Sequence, residues 1–237
     1  MGYKNKKLLN ESRLNTFLHR VLITEFLMLT GLRGVDFFKI KENAVEIEKD
    51  EETGKEIKYI YFQKTKNSEE YYLYLTDYLF DLYMEILKTK GKCRKEEREK
   101  YLTCLTHVSY VNSCNEYFVH YRKIDMNPHG FRHALRTLTE EYLSFSKAVV
   151  EAQLGHIYAG MDNHYLQSKL KFKRLELLEQ YRTMLSSDRQ YAFLYDRKDT
   201  LKREIFDFLQ SLSIKYGATI SEIEELLKEI KEGNAFQ

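Results

Sequence analysis

The chain has 237 residues, of which 43% are hydrophobic, 31% charged and 14% aromatic, with ten glycines and one proline. That composition excludes collagenous, low-complexity and disordered classes and leaves a chain long enough to bury a core. The net charge of +2 is too near zero to imply nucleic acid by itself, but it is unevenly spread: from Ser186 onward the balance is −2, which leaves +4 on the body.

No run approaches the roughly 18 uninterrupted apolar residues of a membrane span, and the opening MGYKNKKLLNESR lacks the apolar core of a signal peptide. A cytoplasmic location without a membrane partner is therefore expected. Leu14, Phe17, Leu18, Val21, Leu22, Phe26 and Leu29 recur at helical spacing, with Ser12 as the expected cap and Gly31 as the stop. A short helical piece over Val35 to Ile40 follows. Ala44 to Ile47, Ile57 to Phe62 and Tyr71 to Leu75 read as three short strands separated by turns, a three-stranded antiparallel meander. Asp77 to Lys88 is amphipathic, and Val111, Cys114, Phe118 and Tyr121 mark a further helical stripe. Pro128 sits where a new helix can open. Helices are expected from about Phe131, Lys147 and Lys171, and two more after Met184, the last opening on a capping box at Thr219 and Glu222. The fold class is thus α+β, mainly α-helical, with a small three-stranded antiparallel sheet, a body over 1–185 and a helical tail over 186–237. Cys93, Cys104 and Cys114 fit neither a disulfide framework nor CxxC metal spacing and are expected to be reduced thiols.

Three segments carry candidate chemistry. Thr30-Gly-Leu-Arg33-Gly-Val-Asp36 closes the first long helix, and its plain reading is a helix stop with an arginine against the closing dipole. Pro128-His129-Gly-Phe-Arg132-His133 opens a later helix. Leu154-Gly155-His156 follows, with Tyr165 nine residues beyond His156. Two arginines and two histidines gathered at one place would form a cationic cage, and guanidinium forks match phosphate oxygens. No Asp or Glu pair at metal-holding spacing accompanies them, so side chains would have to supply the charge, and neither metal nor cofactor is expected.

In order and spacing these segments resemble the catalytic domain of the tyrosine recombinase, or phage integrase, family: T-G-L-R-x-x-[ED], a lysine in a β-hairpin, H-x-x-R-H, L-G-H, and a tyrosine nine residues later. The resemblance covers about Leu14 to Met184 and departs from the family pattern at Phe131 and Gly34. A family member usually has a DNA-clamping domain ahead of this one, and only about thirteen residues precede the first expected helix. The resemblance implies Tyr165 as nucleophile, Arg33, Arg132 and His156 on the non-bridging oxygens, Lys64 as the acid for the departing 5′ oxygen and His129 as an aid to proton transfer. Lys66 and Lys58 are alternatives to Lys64, and Asp36 and His133 read as residues that orient an arginine or histidine.

The function so implied is site-specific recombination of a mobile element, integrating or excising it through a 3′-phosphotyrosine, with double-stranded DNA as partner and a homo-oligomer, a tetramer on DNA, as the working form. The alternatives are type IB topoisomerase-like relaxation and a non-catalytic DNA-binding accessory module. The tail, with five Glu against two Lys in its last helix, is expected to dock on protein rather than DNA.

Overall fold

The computed structural model describes residues 3–51, 53–63, 70–91, 96–116, 128–156 and 169–187, with the backbone alone for 3–14 and 187. The expected helices at 201–212 and 220–230 and most of the 186–237 tail lie outside the described residues. The chain divides into two compact units, Met1–Arg182 and Thr183–Gln237. It is α+β and mostly helical, with seven α-helices and one small sheet among the described residues. None of the described helices is long and apolar enough to cross a membrane.

Helix α1 runs Tyr3–Thr30, passing through the expected cap at Ser12. Lys4 to Arg13 is rich in Lys and Leu, which favour helix, and holds neither Gly nor Pro, so nothing local stops the helix there. The short α2, Gly34–Phe37, leads to β1 Val45–Lys49, β2 Glu56–Phe62 and β3 Tyr71–Leu75. These pair antiparallel in the order β1-β2-β3, with Val45 opposite Ile60 and Ile60 opposite Leu73. Helix α3, Asp77–Thr89, is capped by Thr76, whose hydroxyl accepts from Leu79 N. Then come α4 His107–Cys114, α5 Pro128–Glu141, α6 Lys147–Gln153 and α7 Lys171–Ser187. Pro128 stands in the first turn of α5, where a missing N–H costs nothing.

Helix α1 packs against both α3 and α5, and α5 against α6. Ile23, Phe26 and Leu27 of α1, Leu82 and Ile86 of α3, Leu135 of α5 and Leu73 of β3 are all buried. The turn between β1 and β2 is held by Asp50, which accepts from the Thr53 N–H and hydroxyl at 2.8 and 2.7 Å and pairs with Lys171 at the start of α7. That lysine, with Thr53, holds the Asp50 carboxyl down at about 2. Cys104 is disulfide-bonded and Cys114 a free buried thiol. The expectation of three reduced thiols is therefore corrected at Cys104, whose pairing no chain spacing announces.

His19 is a buried strut between α1, α3 and the loop before α4. Its Nδ1 and Nε2 meet the hydroxyls of Thr89 and Thr103 at 2.9 and 2.8 Å. Burial, reinforced by Arg20, lowers its pKa to about 4, so the fold favours the neutral ring. This contribution is complete above the ordinary imidazole pKa of 6.5 and is lost as pH falls from there toward 4, a window worth about 3 kcal/mol. Urea unfolding followed by circular dichroism should show that loss, and a His19→Gln chain should lose distinctly less over the same window. Equal slopes in the two chains would remove His19 from the account.

Candidate phosphate-binding site at two helix ends

The site is built from two glycine turns. Gly31 ends α1 with φ of +63°, and its N–H bonds Leu27 O at 2.9 Å. Gly155 follows α6 with the same φ of +63°. There Gly155 N bonds Ala152 O at 3.1 Å and His156 N bonds Glu151 O at 2.9 Å, the paired bonds of a Schellman motif. A side chain at either glycine would be strained and crowded: an added Cβ would stand 2.9 Å from Leu154 Cδ2 at Gly31 and 3.1 Å from the Tyr71 ring at Gly155. The two turns face each other through that contact between Gly31 and Leu154.

Arg132, on the buried face of α5 and 6% exposed, closes both turns. Its Nη1 donates to Gly31 O at 2.7 Å, and its Nη2 to Leu154 O. Each carbonyl belongs to a helix terminus that carries negative partial charge, so the guanidinium caps α1 and α6 together. Burial first, then the charge of Arg33, lowers the Arg132 pKa to about 10, while Tyr71, Glu151 and Asp36 oppose them. It remains a cation at neutral pH.

The same Nη2 also lies 2.8 Å from His156 Nε2. A guanidinium cannot accept a hydrogen bond, so Nε2 must be the acceptor. The ring's proton therefore sits on Nδ1, which donates to Glu151 Oε2. His156, expected as a donor to phosphate oxygens, thus presents its Nε2 lone pair to Arg132. Arg33 N-caps α2 without a side-chain cap bond, is half-buried, and its charge acts on Arg132, His156 and Tyr71. Arg33, Arg132 and His156 are thereby brought together.

His129 stands one turn before Arg132 on α5, exposed, its ring edge-on to that of His133 at 4.8 Å. His133 is thus placed against a histidine rather than an arginine. Asp36 is 1% exposed and its carboxylate oxygens make no hydrogen bond, with Lys39 Nζ 3.7 Å away. It acts on Arg132 through charge alone. Lys64, with Lys66, lies between β2 and β3, and Tyr165 between His156 and α7; all three are outside the described residues. Lys58 pairs with Asp77 at 2.5 Å. Among the described residues no group of three or more His, Cys, Asp or Glu could hold a metal ion.

Four residues outside the motifs complete the surroundings. Gln153, fully buried, donates to Thr30 O at 2.9 Å and accepts from Arg174 Nε at 3.2 Å. Arg174 of α7, also fully buried, donates to Tyr72 O at 2.5 Å and covers the rings of Tyr71 and Tyr74. Tyr71 returns a bond to Gln153 O at 2.6 Å. His107 Nε2 stands 2.7 Å from where a Gly34 Cβ would be, which accounts for glycine after Arg33. Chain spacing carries no signal for Arg174 or His107. Gln153, beside the L-G-H segment, could be suspected only from its place in the last turn of a buried helix.

Comparison of the chain with family models, with curated proteins and with solved structures finds no match. The site's chemistry therefore rests on its own geometry. Because Arg132 closes two helix ends, Arg132→Ala should cost about 3 kcal/mol in urea unfolding, leaving buried carbonyls unpaired. Arg33→Ala, at a half-buried side chain, should cost under about 1 kcal/mol. Equal losses for the two would contradict the division of labour between them.

Proposed function

We propose that this chain is a tyrosine recombinase, a site-specific DNA recombinase of a mobile element that cleaves and rejoins strands through a 3′-phosphotyrosine intermediate without a metal ion. The observation that carries this reading is the convergence of Arg132, Arg33 and His156 at two facing helix ends, in a chain whose order of motifs resembles that family. Arg132 spends three of its five N–H groups on Gly31, Leu154 and His156. Its remaining donors and the whole fork of Arg33 are left for phosphate oxygens, each such donor worth about 3 kcal/mol by analogy with oxyanion holes.

In the proposed reaction the Tyr165 phenol attacks the phosphodiester in line. The 3′ phosphate passes to the tyrosine oxygen as the 5′ oxygen leaves, and the bond energy is stored for rejoining. Lys64 would protonate the leaving oxygen and His129 would help carry the phenol proton, steps worth about 10²–10⁴ each. Double-stranded DNA is the partner, and strand exchange calls for a homo-oligomer, a tetramer on two DNA sites. The carboxylates Glu46 and Glu48, gathered with the Tyr59 hydroxyl on the outer sheet face, favour the opposite side of the unit for DNA.

Incubation with a pool of duplex fragments from the source genome in EDTA, followed by denaturation, should yield protein covalently bound to DNA. Tyr165→Phe should abolish the adduct and retain gel-shift binding. Cleavage that needs Mg²⁺ and leaves no adduct would overturn the reading. Adduct formation with supercoil relaxation but no joined product would move it to type IB topoisomerase-like chemistry.

A further inference from the structure

The Schellman turn after α6 bonds His156 twice to one residue. Its backbone N–H meets Glu151 O, and its Nδ1–H meets the Glu151 carboxylate, five positions back. Glu151 is 7% exposed, and its other carboxylate oxygen forms an ion pair with Arg136 Nη2 at 2.6 Å. Arg136 lies one turn beyond Arg132, so α5 presents one arginine to the imidazole and the next to its carboxylate partner. The ring is held between a guanidinium on the Nε2 side and an anion on the Nδ1 side.

A phosphodiester oxygen accepts hydrogen bonds and donates none. To bond it, Nε2 must carry a proton. A neutral ring could manage this by moving its one proton from Nδ1 to Nε2, but the Nδ1 lone pair would then face the buried Glu151 carboxylate, acceptor against acceptor. With Glu151 ionised, the state in which Nε2 donates is the imidazolium. We propose that Glu151 is a positioning residue that makes phosphodiester binding draw one proton onto His156 Nε2, by forbidding the neutral donor tautomer and stabilising the doubly protonated ring. The proton comes from solvent and forms the Nε2–H bond. The Arg132 N–H that had pointed at Nε2 is released toward the anion, and the occupied site holds one proton more.

The charged groups around the ring act in the required directions. Burial lowers the His156 pKa most, Arg132 and Arg33 lower it further, and Glu151 opposes them. An arriving anion offsets the two arginines and leaves Glu151 to favour the cation. Between the free-site pKa and the raised pKa of the occupied site, affinity for a non-titrating anion should therefore fall by up to tenfold per pH unit as pH rises.

This inference rests on the reading of the site as one for a phosphodiester, and dimethyl phosphate, a monoanion that does not titrate near neutrality, is the probe. The full chain is labelled with ring-¹⁵N histidine, the His156 signals are assigned with His156→Gln, and dimethyl phosphate is titrated from pH 6 to 8.5. Without the probe, His156 should show a protonated Nδ1 and a bare Nε2; with it, both nitrogens should be protonated and the pKa raised. In Glu151→Gln the amide can turn its NH₂ toward Nδ1, so with the probe bound the ring can stay neutral with its proton on Nε2, and affinity should vary less than about twofold over the range.

An Nε2–H tautomer in the unsubstituted chain, or pH dependence unchanged in Glu151→Gln, overturns the proposal; the first needs no variant to fold. Arginine signals that respond to dimethyl phosphate while His156 stays singly protonated overturn it and leave the phosphodiester reading intact. No response at Arg33, Arg132 or His156 overturns both.

Discussion

One buried guanidinium holds the region together. The last carbonyls of an α-helix lack partners within the helix, and here the ends of α1 and α6 meet inside the protein, away from water. Arg132 supplies N–H groups to Gly31 O and Leu154 O and a positive charge between two negative helix ends. The arrangement works only if both chains can turn sharply at the contact, which is why both turns are glycines with positive φ. Capping does not exhaust the side chain, because a planar fork with five donors can face two carbonyls and a histidine and still keep two N–H groups over.

Around this center a second set of bonds fixes where the neighbouring elements start and stop. Gln153 joins the end of α1 to α7 through Arg174, and Arg174 joins α7 to β3 over the Tyr71 and Tyr74 rings. The segment that holds Lys64 re-enters the described fold at Glu70 and Tyr71, and the one that holds Tyr165 leaves it at His156 and re-enters at Lys169. Tyr71 and His156 are thus each bonded into the region that Arg132 organises.

Much of the fold could be read along the chain because it depends on local patterns. The meander follows from short Tyr- and Ile-rich runs parted by turns, and its third strand spans the expected Tyr71 to Leu75. The two glycine turns are local signals as well, and the bland reading of T-G-L-R as a helix stop describes its backbone. The proton arrangement at His156 is different in kind. It depends on a carboxylate five residues back across a turn and on an arginine from another helix, and neither type of pairing has a periodicity that a sequence displays. Arg174 stayed hidden for the opposite reason: a charge in a Lys-rich stretch reads as solvated, whereas here aromatic faces and a buried amide replace the water. Ser12, a good capping residue, does not mark the start of α1, because Tyr3 to Glu11 holds neither Gly nor Pro to stop the helix from running on.

The proposed chemistry of this site shows in how it handles a phosphodiester. Peptide mapping by mass spectrometry of a denatured protein–DNA complex, formed in EDTA, addresses that directly. One modified peptide is expected, bearing Tyr165 joined to a nucleotide through its 3′ phosphate, with free 5′-hydroxyl ends on the DNA. DNA ends carrying 5′ phosphate, with the Tyr165 peptide recovered unmodified, would contradict it.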